Sequence, residues 1–250
     1  MKSKNLIIYV LVGMRDFSKL IESIKIARSF NYDIDIKVYH DCDKSLIEES
    51  LDTYSVQYRK YKRKKYPIRE ENRNSSLWRL VSILENKDKY ESILYLDNDI
   101  FIVHKGFFEG FDISKNFGIC MVQNPRMFIK TYEGNIGDLD IGTDVLPFDK
   151  MFVTDMPSYM TSYNMGVMFY SNTEKSSDFL AELLWEQQNN PSRGQAGLYR
   201  TIWKTKLAPY CLPINWLVCK KHANIDNPLS LHVGHGNVFK RWLEEYKVVI

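Results

Sequence analysis

Four times the chain sets two aspartates one residue apart, at Asp33/Asp35, Asp41/Asp43, Asp97/Asp99 and Asp138/Asp140. With 17 aspartates in 250 residues, composition alone would place roughly one such pair, so context has to separate them. Asp33/Asp35 opens a strand, where its side chains point away from any crevice at the strand's carboxyl end. Asp138/Asp140 falls in an irregular, Gly- and Asp-rich stretch. Asp41/Asp43 ends a strand, an acceptable placement, but a polar loop follows. Asp97/Asp99 alone interrupts a buried run, Ser92 to Val103 (SILYLDNDIFIV). Two carboxylates planted between apolar residues repel each other and are poorly solvated. A divalent cation removes both difficulties. Spacing of i and i+2 lets both carboxylates address one hard cation, which prefers oxygen ligands. The bland alternative is a turn held by Asx hydrogen bonds.

The elements that would position this pair are legible from periodicity. Asn5 to Val12 is a continuous apolar run, the pattern of a strand covered on both faces. Phe17 to Phe30 has helical apolar spacing, Asp33 to His40 alternates as a second strand, Leu46 to Leu51 is a short helix, and Ser55 to Lys60 a third strand. Ser75 to Asn86 is a helix that Ser75 or Ser76 caps. Beyond the acidic pair, Phe117 to Val122 and Tyr163 to Tyr170 are strands, Glu174 to Gln188 and Gln195 to Thr205 helices, and Tyr210 to Cys219 an extended aromatic segment. Leu229 to His232 is a last short strand. Asn124 to Tyr159 is weakly periodic, and a long irregular stretch of this kind is usually functional or mobile. Strand, helix, strand at the N-terminus points to an α/β fold with a mostly parallel, Rossmann-like sheet, in which ligands bind beyond the carboxyl ends of strands.

Composition narrows the function classes. Apolar residues make up 44% and charged residues 26%, the ordinary globular range, and a net charge of +3 excludes a polyelectrolyte binder. Four scattered cysteines make neither a zinc module nor a disulfide framework. The longest apolar run, Leu6 to Met14, is far short of the roughly 20 residues that span a bilayer. With no signal-peptide cleavage pattern after it, a soluble cytoplasmic protein is expected. Tyr58 to Tyr66 (YRKYKRKKY) is the one strong charge run. It reads foremost as a solvated loop, with peripheral contact to an anionic membrane surface through Arg59 to Lys65 as the interaction it would make; no nucleic-acid partner is expected.

Tyr95-Leu96-Asp97-Asn98-Asp99 resembles the metal-binding motif of GT-A fold glycosyltransferases, which use nucleotide-diphosphate sugars. The resemblance is to the glycogenin and bacterial galactosyltransferase group, glycosyltransferase family 8, and covers most of the chain. It implies one glycosyltransferase domain over residues 1–250. Residues 1–103 would form a nucleotide-binding half ending in the acidic motif, and 104–250 a half for acceptor and sugar. Arg79 stands where the group has an arginine one helix before the motif, implying that it holds the nucleotide or orients the first carboxylate. Asn164-Met165-Gly166-Val167 is similar to the Asn-x-Gly-Val segment, whose Asn faces the sugar. Leu212-Pro213-Ile214-Asn215-Trp216 resembles a segment read as structural. His232 to Trp242 is similar to the His-x-x-Gly-x-x-Lys-Pro-Trp segment, implying His232 as third metal ligand beside Asp97 and Asp99, Lys240 on the diphosphate, and His235 and Gly236 at the sugar or phosphates. His232 stands eight residues before Lys240 where the group has six, and Arg241 replaces the proline.

The implied donor is a UDP-sugar, its nucleotide near Val12 and Gly13 and beside Asn98, and the implied ion is Mn2+ or Mg2+. A cation bridging the phosphates stabilises the departing diphosphate, while Gln195 and Asn164 would face the oxocarbenium-like carbon as oriented acceptors. One departure stands out: the group carries an acidic residue before the Gln, and here the segment is Arg193-Gly194-Gln195. Asp144, Asp149 or Asp155 would then have to supply a base. The reading is a metal-dependent hexosyltransferase acting on a glycan or protein hydroxyl. Its alternatives are a catalytically silent nucleotide-sugar-binding module, a nucleotidyltransferase (disfavoured by the glycine-poor Leu11 to Met14), and a basic-patch binder of nucleic acid or membrane.

Overall fold

The computed structural model describes residues 3–31, 33–42, 45–65, 70–130, 159–189, 194–219 and 225–234. Their elements run β1 (Ser3–Leu11), α1 (Phe17–Phe30), β2 (Asp35–His40), α2 (Ser45–Thr53), β3 (Gln57–Lys60), α3 (Glu70–Asn86), β4 (Tyr90–Leu96) and β5 (Ile100–Ile102). A 3-10 turn (Lys105–Glu109) leads into α4 (Gly110–Phe117), followed by β6 (Ile119–Lys130), β7 (Tyr159–Ser171), α5 (Glu174–Asn189), α6 (Gly194–Thr205) and β8 (Tyr210–Leu212). A second 3-10 turn (Ile214–Trp216), β9 (Val218–Cys219) and β10 (Ser230–His232) complete the described elements.

One sheet runs in the order β3-β2-β1-β4-β7-β6-β8. Its β3, β2, β1 and β4 are parallel to one another and β8 is parallel to β6, whereas β7 runs antiparallel to both of its neighbours. The apolar run of β1 has a two-residue period in space. Leu6, Ile8 and Val10 face a core shared with α3, α5 and α6, while Ile7, Tyr9 and Leu11 face α1, α2 and α4. A central strand covered on both sides has no solvent face to mark with polar residues, hence its unbroken hydrophobicity. The chain leaves β1 toward β2 and β3, then returns to β4 on β1's other side. That reversal opens a crevice at the carboxyl ends of β1 and β4, the switch point where open α/β sheets take ligands.

A second, small sheet, β5-β10-β9, stands beyond β4. It pairs Ile100 with His232 and His232 with Cys219, so residues far apart in sequence meet at the end of β4.

Three expectations change. The third helix begins at Glu70 rather than Ser75, so Ser75 and Ser76 lie inside it and cap nothing. Its first turns are held by tertiary tethers that override propensity: fully buried Asn74 accepts from Lys64 N at 2.9 Å and donates to Lys64 O at 2.8 Å. Residues 124–130, read as irregular from Asn124-Pro125, continue β6, and register breaks between Met121/Val122 and Gln123/Phe128 accommodate the proline. Phe117 ends α4 instead of opening a strand, and the helical stretch from Lys105 to Phe117 was not assigned from the sequence. Within that stretch Gly110 packs on Phe169, and a Cβ there would sit 2.4 Å from the ring. Phe169 is itself wedged among Phe107, Phe111 and Trp216 and has no room to retreat. Gly110→Ala is expected to cost about 1–3 kcal/mol of stability, read as a lower urea midpoint at unchanged slope.

Candidate functional site

The site is built where β4 ends. Leu96 is the last paired residue, Asp97 N is held by Gly166 O at 2.8 Å, and a turn returns the chain to β5 through Ile100 N→Asp97 O at 3.1 Å. Asp97 and Asp99 therefore sit on a rigid strand-to-strand turn. Each has a different counter-charge. Asp97 Oδ1 accepts from Arg79 Nη2 at 3.1 Å and from the Tyr95 hydroxyl at 2.6 Å. Arg79 is buried and lies 4.3 Å from the centroid of the Tyr95 ring, so one guanidinium serves carboxylate and ring together. Burial holds the Tyr95 phenol protonated well above its ordinary range, against the opposing charge of Arg79 and with help from Asp97. Asp99 Oδ2 instead stands 3.3 Å from His232 Nε2. Burial works against a charged imidazole there, but Asp99, with Cys219 second, overturns it and raises the His232 pKa to about 10. Cys219 Sγ lies 3.6 Å from Nδ1 of the same ring.

The backbone around Asp97 is tightly packed. A Cβ on Gly166 would lie 2.7 Å from Asp97 Oδ2, 2.9 Å from Ile100 Cδ1 and 3.0 Å from Asn164 Oδ1. Asn164 Oδ1 accepts from Gly166 N at 2.7 Å, so its carbonyl oxygen already serves its own strand.

Asn98, between the two acids, donates to Val10 O at 2.9 Å and stitches the turn to β1. Three residues past Val10, the loop turns at Gly13, whose φ of +68° suits glycine. Gly13 N donates to Asp41 Oδ1 at 2.8 Å, and Arg63 Nε donates to Asp41 Oδ2 at 2.6 Å. Val12 packs partly buried against the core. On the other flank Lys19 Nζ donates to Gly234 O at 2.6 Å, and Val233 N to Asp99 O at 3.0 Å, fixing where the segment after β10 departs.

Several buried polar atoms in this neighbourhood lack a hydrogen-bond partner among the described residues: Asn98 Oδ1, Arg79 Nε, Trp78 Nε1 and the Tyr61 hydroxyl. Tyr61 and Trp78 stack with ring centroids 4.1 Å apart. Buried polar groups are normally satisfied, so Asn98 Oδ1 and Arg79 Nε, beside the acidic turn, are atoms that a polar ligand could satisfy; Asn5, His40 and Arg200 also carry such atoms.

The structure thus brings Asp97 with Arg79, Asn164 and Gly166, and Asp99 with His232, on one turn, with Asn98 and Gly13 reaching the end of β1. His235, Gly236 and Lys240 lie outside the described residues, as do Asp144, Asp149, Asp155 and the side chain of Gln195. Among the described residues no three His, Cys, Asp or Glu side chains form a group that could hold a metal ion. Asp97 leans on Arg79, and only Asp99 and His232 meet. The donor chemistry, carboxylate oxygens with one imidazole, nonetheless suits a divalent ion of the Mn2+ or Mg2+ kind. Sequence reasoning missed Asp41, Arg63 and Cys219. Only the position of Asp41 at the end of a strand beside β1 signalled it; Arg63 was submerged in a charge run and Cys219 in an unpatterned set.

A mostly parallel sheet with an antiparallel β7, and an acidic turn beyond β4 braced by a small second sheet, define a GT-A type α/β fold. Over 100% of its length the chain superposes on half of the bifunctional glycosyltransferase WbbM, at a TM-score of 0.63 and 13% identity. It is similar over 98% of its length, and 97% of the other, to galactosyltransferase LgtC in complex with donor and acceptor sugar analogues, at a TM-score of 0.63 and 10% identity. A 4-diphosphocytidyl-2C-methyl-D-erythritol synthase from Anaerococcus prevotii matches at a TM-score of 0.56 and 10% identity, over 97% of this chain and 96% of that one. At such identities the likeness is one of fold. No family model and no curated protein matches the sequence.

Proposed function

We propose that the chain is a glycosyltransferase that takes a hexosyl group from a UDP-sugar and passes it to a hydroxyl acceptor on a glycan or protein. The observation that carries the reading is the Asp97-Asn98-Asp99 turn at the switch point, with each acid held by its own cation and the backbone of Gly166 pressed against the first. A divalent ion, Mn2+ or Mg2+, would be held by Asp97 Oδ2, Asp99 and His232. There it would supply Lewis-acid stabilisation of a departing diphosphate.

The protein's own groups would do the rest. Arg79, donating to Asp97 Oδ1, keeps that carboxylate aimed. Tyr95, protonated and donating to Asp97, fixes its rotamer. Asn98, anchored on Val10 O, presents an unpartnered carbonyl oxygen that would accept from a nucleotide hydroxyl or N–H. Gly13, tied down by Asp41, keeps the loop after β1 clear for the nucleotide. Asn164 would offer its amide N–H to a sugar hydroxyl, and Lys240 and His235 the positive charge and donors for phosphates, as the family resemblance implies.

The test is UDP release from a panel of UDP-hexoses with Mn2+ or Mg2+, alongside calorimetric binding of UDP with each ion. Release in the presence of ion supports the reading. Binding without release from any donor, across many acceptors, points to a silent sugar-nucleotide module. Pyrophosphate release from a nucleoside triphosphate and a sugar 1-phosphate would move the chain to the nucleotidyltransferases, whose fold it also shares. A narrower prediction concerns Asp41. Replacing it with alanine removes the acceptor of Gly13 N and the partner of Arg63. A hydrogen bond to a charged group is worth about 1.5–3 kcal/mol and the Asp41 carboxylate is nearly buried, so the variant is expected to melt lower and, with the loop after β1 released, to bind UDP about tenfold more weakly by calorimetry.

A further inference from the structure

We infer that the strip Tyr58–Lys65 is a docking rail for an anionic lipid surface. The strip is the outer edge of the main sheet: β3 is its terminal strand, and all four of its residues, Gln57, Tyr58, Arg59 and Lys60, are exposed. Past Lys60 residues 61–65 form no regular element, and their side chains divide between exposed and tied-in positions. Lys60, Lys62 and Lys64 are exposed, with Lys65 beside them, whereas Tyr61 is 5% exposed against Trp78 and Arg63 turns in to Asp41. This is not a loose solvated loop. Tyr61 N is held by His40 O at 2.8 Å, and Asn74 clamps both the N–H and the carbonyl of Lys64. The ammonium groups are therefore displayed from an ordered backbone, which lowers the entropy lost on docking.

Arg59 is paired with Glu85 at 2.7 Å, so the strip presents its charge chiefly through the exposed lysines. Net charge over the whole chain is only +3, so this concentration belongs to one edge.

Shape and composition select the partner. A protein that tracks single-stranded nucleic acid needs aromatic faces on which bases stack, and Tyr61 is buried while Tyr58 is only 36% exposed. A straight edge of lysines with one neighbouring tyrosine suits a flat anionic layer, where each basic residue strengthens attachment about fivefold. Through Arg63, Asp41 and Gly13 the strip adjoins the loop after β1, so a docked chain would hold the mouth of the crevice near the surface.

The inference stands apart from the proposed catalysis and is tested without it. The whole chain is mixed with vesicles of phosphatidylcholine alone, or with phosphatidylserine added, in ~0.1 M salt, and bound protein is measured by co-sedimentation. The wild-type chain is expected on the phosphatidylserine vesicles only, and to leave them in ~0.5 M salt. A variant with Lys60→Gln, Lys62→Gln, Lys64→Gln and Lys65→Gln is expected to bind roughly six hundredfold more weakly. A control with Lys105→Gln, Lys115→Gln, Lys175→Gln and Lys206→Gln, of equal net charge, is expected to bind as wild type. Four results overturn the inference: no binding to phosphatidylserine vesicles, equal binding by the strip variant, equal loss in the control, or preference of the wild type for a single-stranded oligonucleotide. Aggregation of the strip variant with undiminished vesicle binding would also overturn it, because the lysines would then serve only to keep the open sheet edge from pairing.

Discussion

Asp99→Asn is expected to lower ion-dependent UDP release by a hundredfold or more, about the size of losing one preorganised charge-stabilising group, while the far-ultraviolet circular dichroism stays that of the wild type. The fold should survive because the backbone of residue 99 does the local structural work. Its carbonyl accepts from Val233 N, and Ile100 beside it is paired with His232 in the small sheet. Asparagine keeps that geometry and the side-chain volume. What it loses is the negative charge facing His232 at 3.3 Å, and with it the opposed pair that concentrates attraction for a cation at the end of β4. Calorimetry of Mn2+ in the presence of UDP is the direct readout, and wild-type affinity in the variant would remove Asp99 from the ligand set. Asp97→Asn should lose ion-dependent release to a similar extent and also leave buried Arg79 without its carboxylate. It is therefore the variant expected to lose stability as well, and the contrast between the two separates ion binding from charge balance.

Gly166→Ala is the second large effect. One methyl group has nowhere to go: Asp97 Oδ2, Ile100 Cδ1 and Asn164 Oδ1 would all lie within 3.0 Å of it. Ile100 is fully buried and Asn164 is tied to the backbone of Gly166, so Asp97 is the group that shifts. Displacing a positioned group by about 1 Å costs on the order of a hundredfold in rate, and crowding of this kind costs about 1–3 kcal/mol in stability. The expected result is a folded, somewhat less stable protein with turnover reduced about a hundredfold. Turnover within twofold of wild type would mean that the close approach of β7 to the acidic turn is packing and nothing more.

Local patterns were readable and long-range partnerships were not. β1 and α1 could be drawn almost to the residue because a doubly covered strand and an amphipathic helix each write their period into consecutive side chains. The Asp97/Asp99 pair stood out for the same reason, two charges breaking one apolar run. Asp41 was passed over because its significance comes from Gly13 and Arg63, 28 and 22 residues away. Cys219 becomes relevant only when β9 and β10 pair. The start of α3 was misplaced because Asn74, a poor helix former, is held in the helix by the backbone of Lys64. Asn164 was visible as a candidate, but the hydrogen bond that ties its carbonyl oxygen to Gly166 N is announced by no spacing.

The small sheet has a consequence for the order in which the protein matures. Asp99 acquires its imidazole neighbour only once β10 has zipped against β5, and β10 is the last described strand to leave the ribosome. A nascent chain that already holds every strand of the main sheet still has a bare acid where the finished protein has a pair. Competence at the crevice would thus wait until β10 has been made and has folded back to β5, and a product ending short of β10 would keep the main sheet yet lack the clasp.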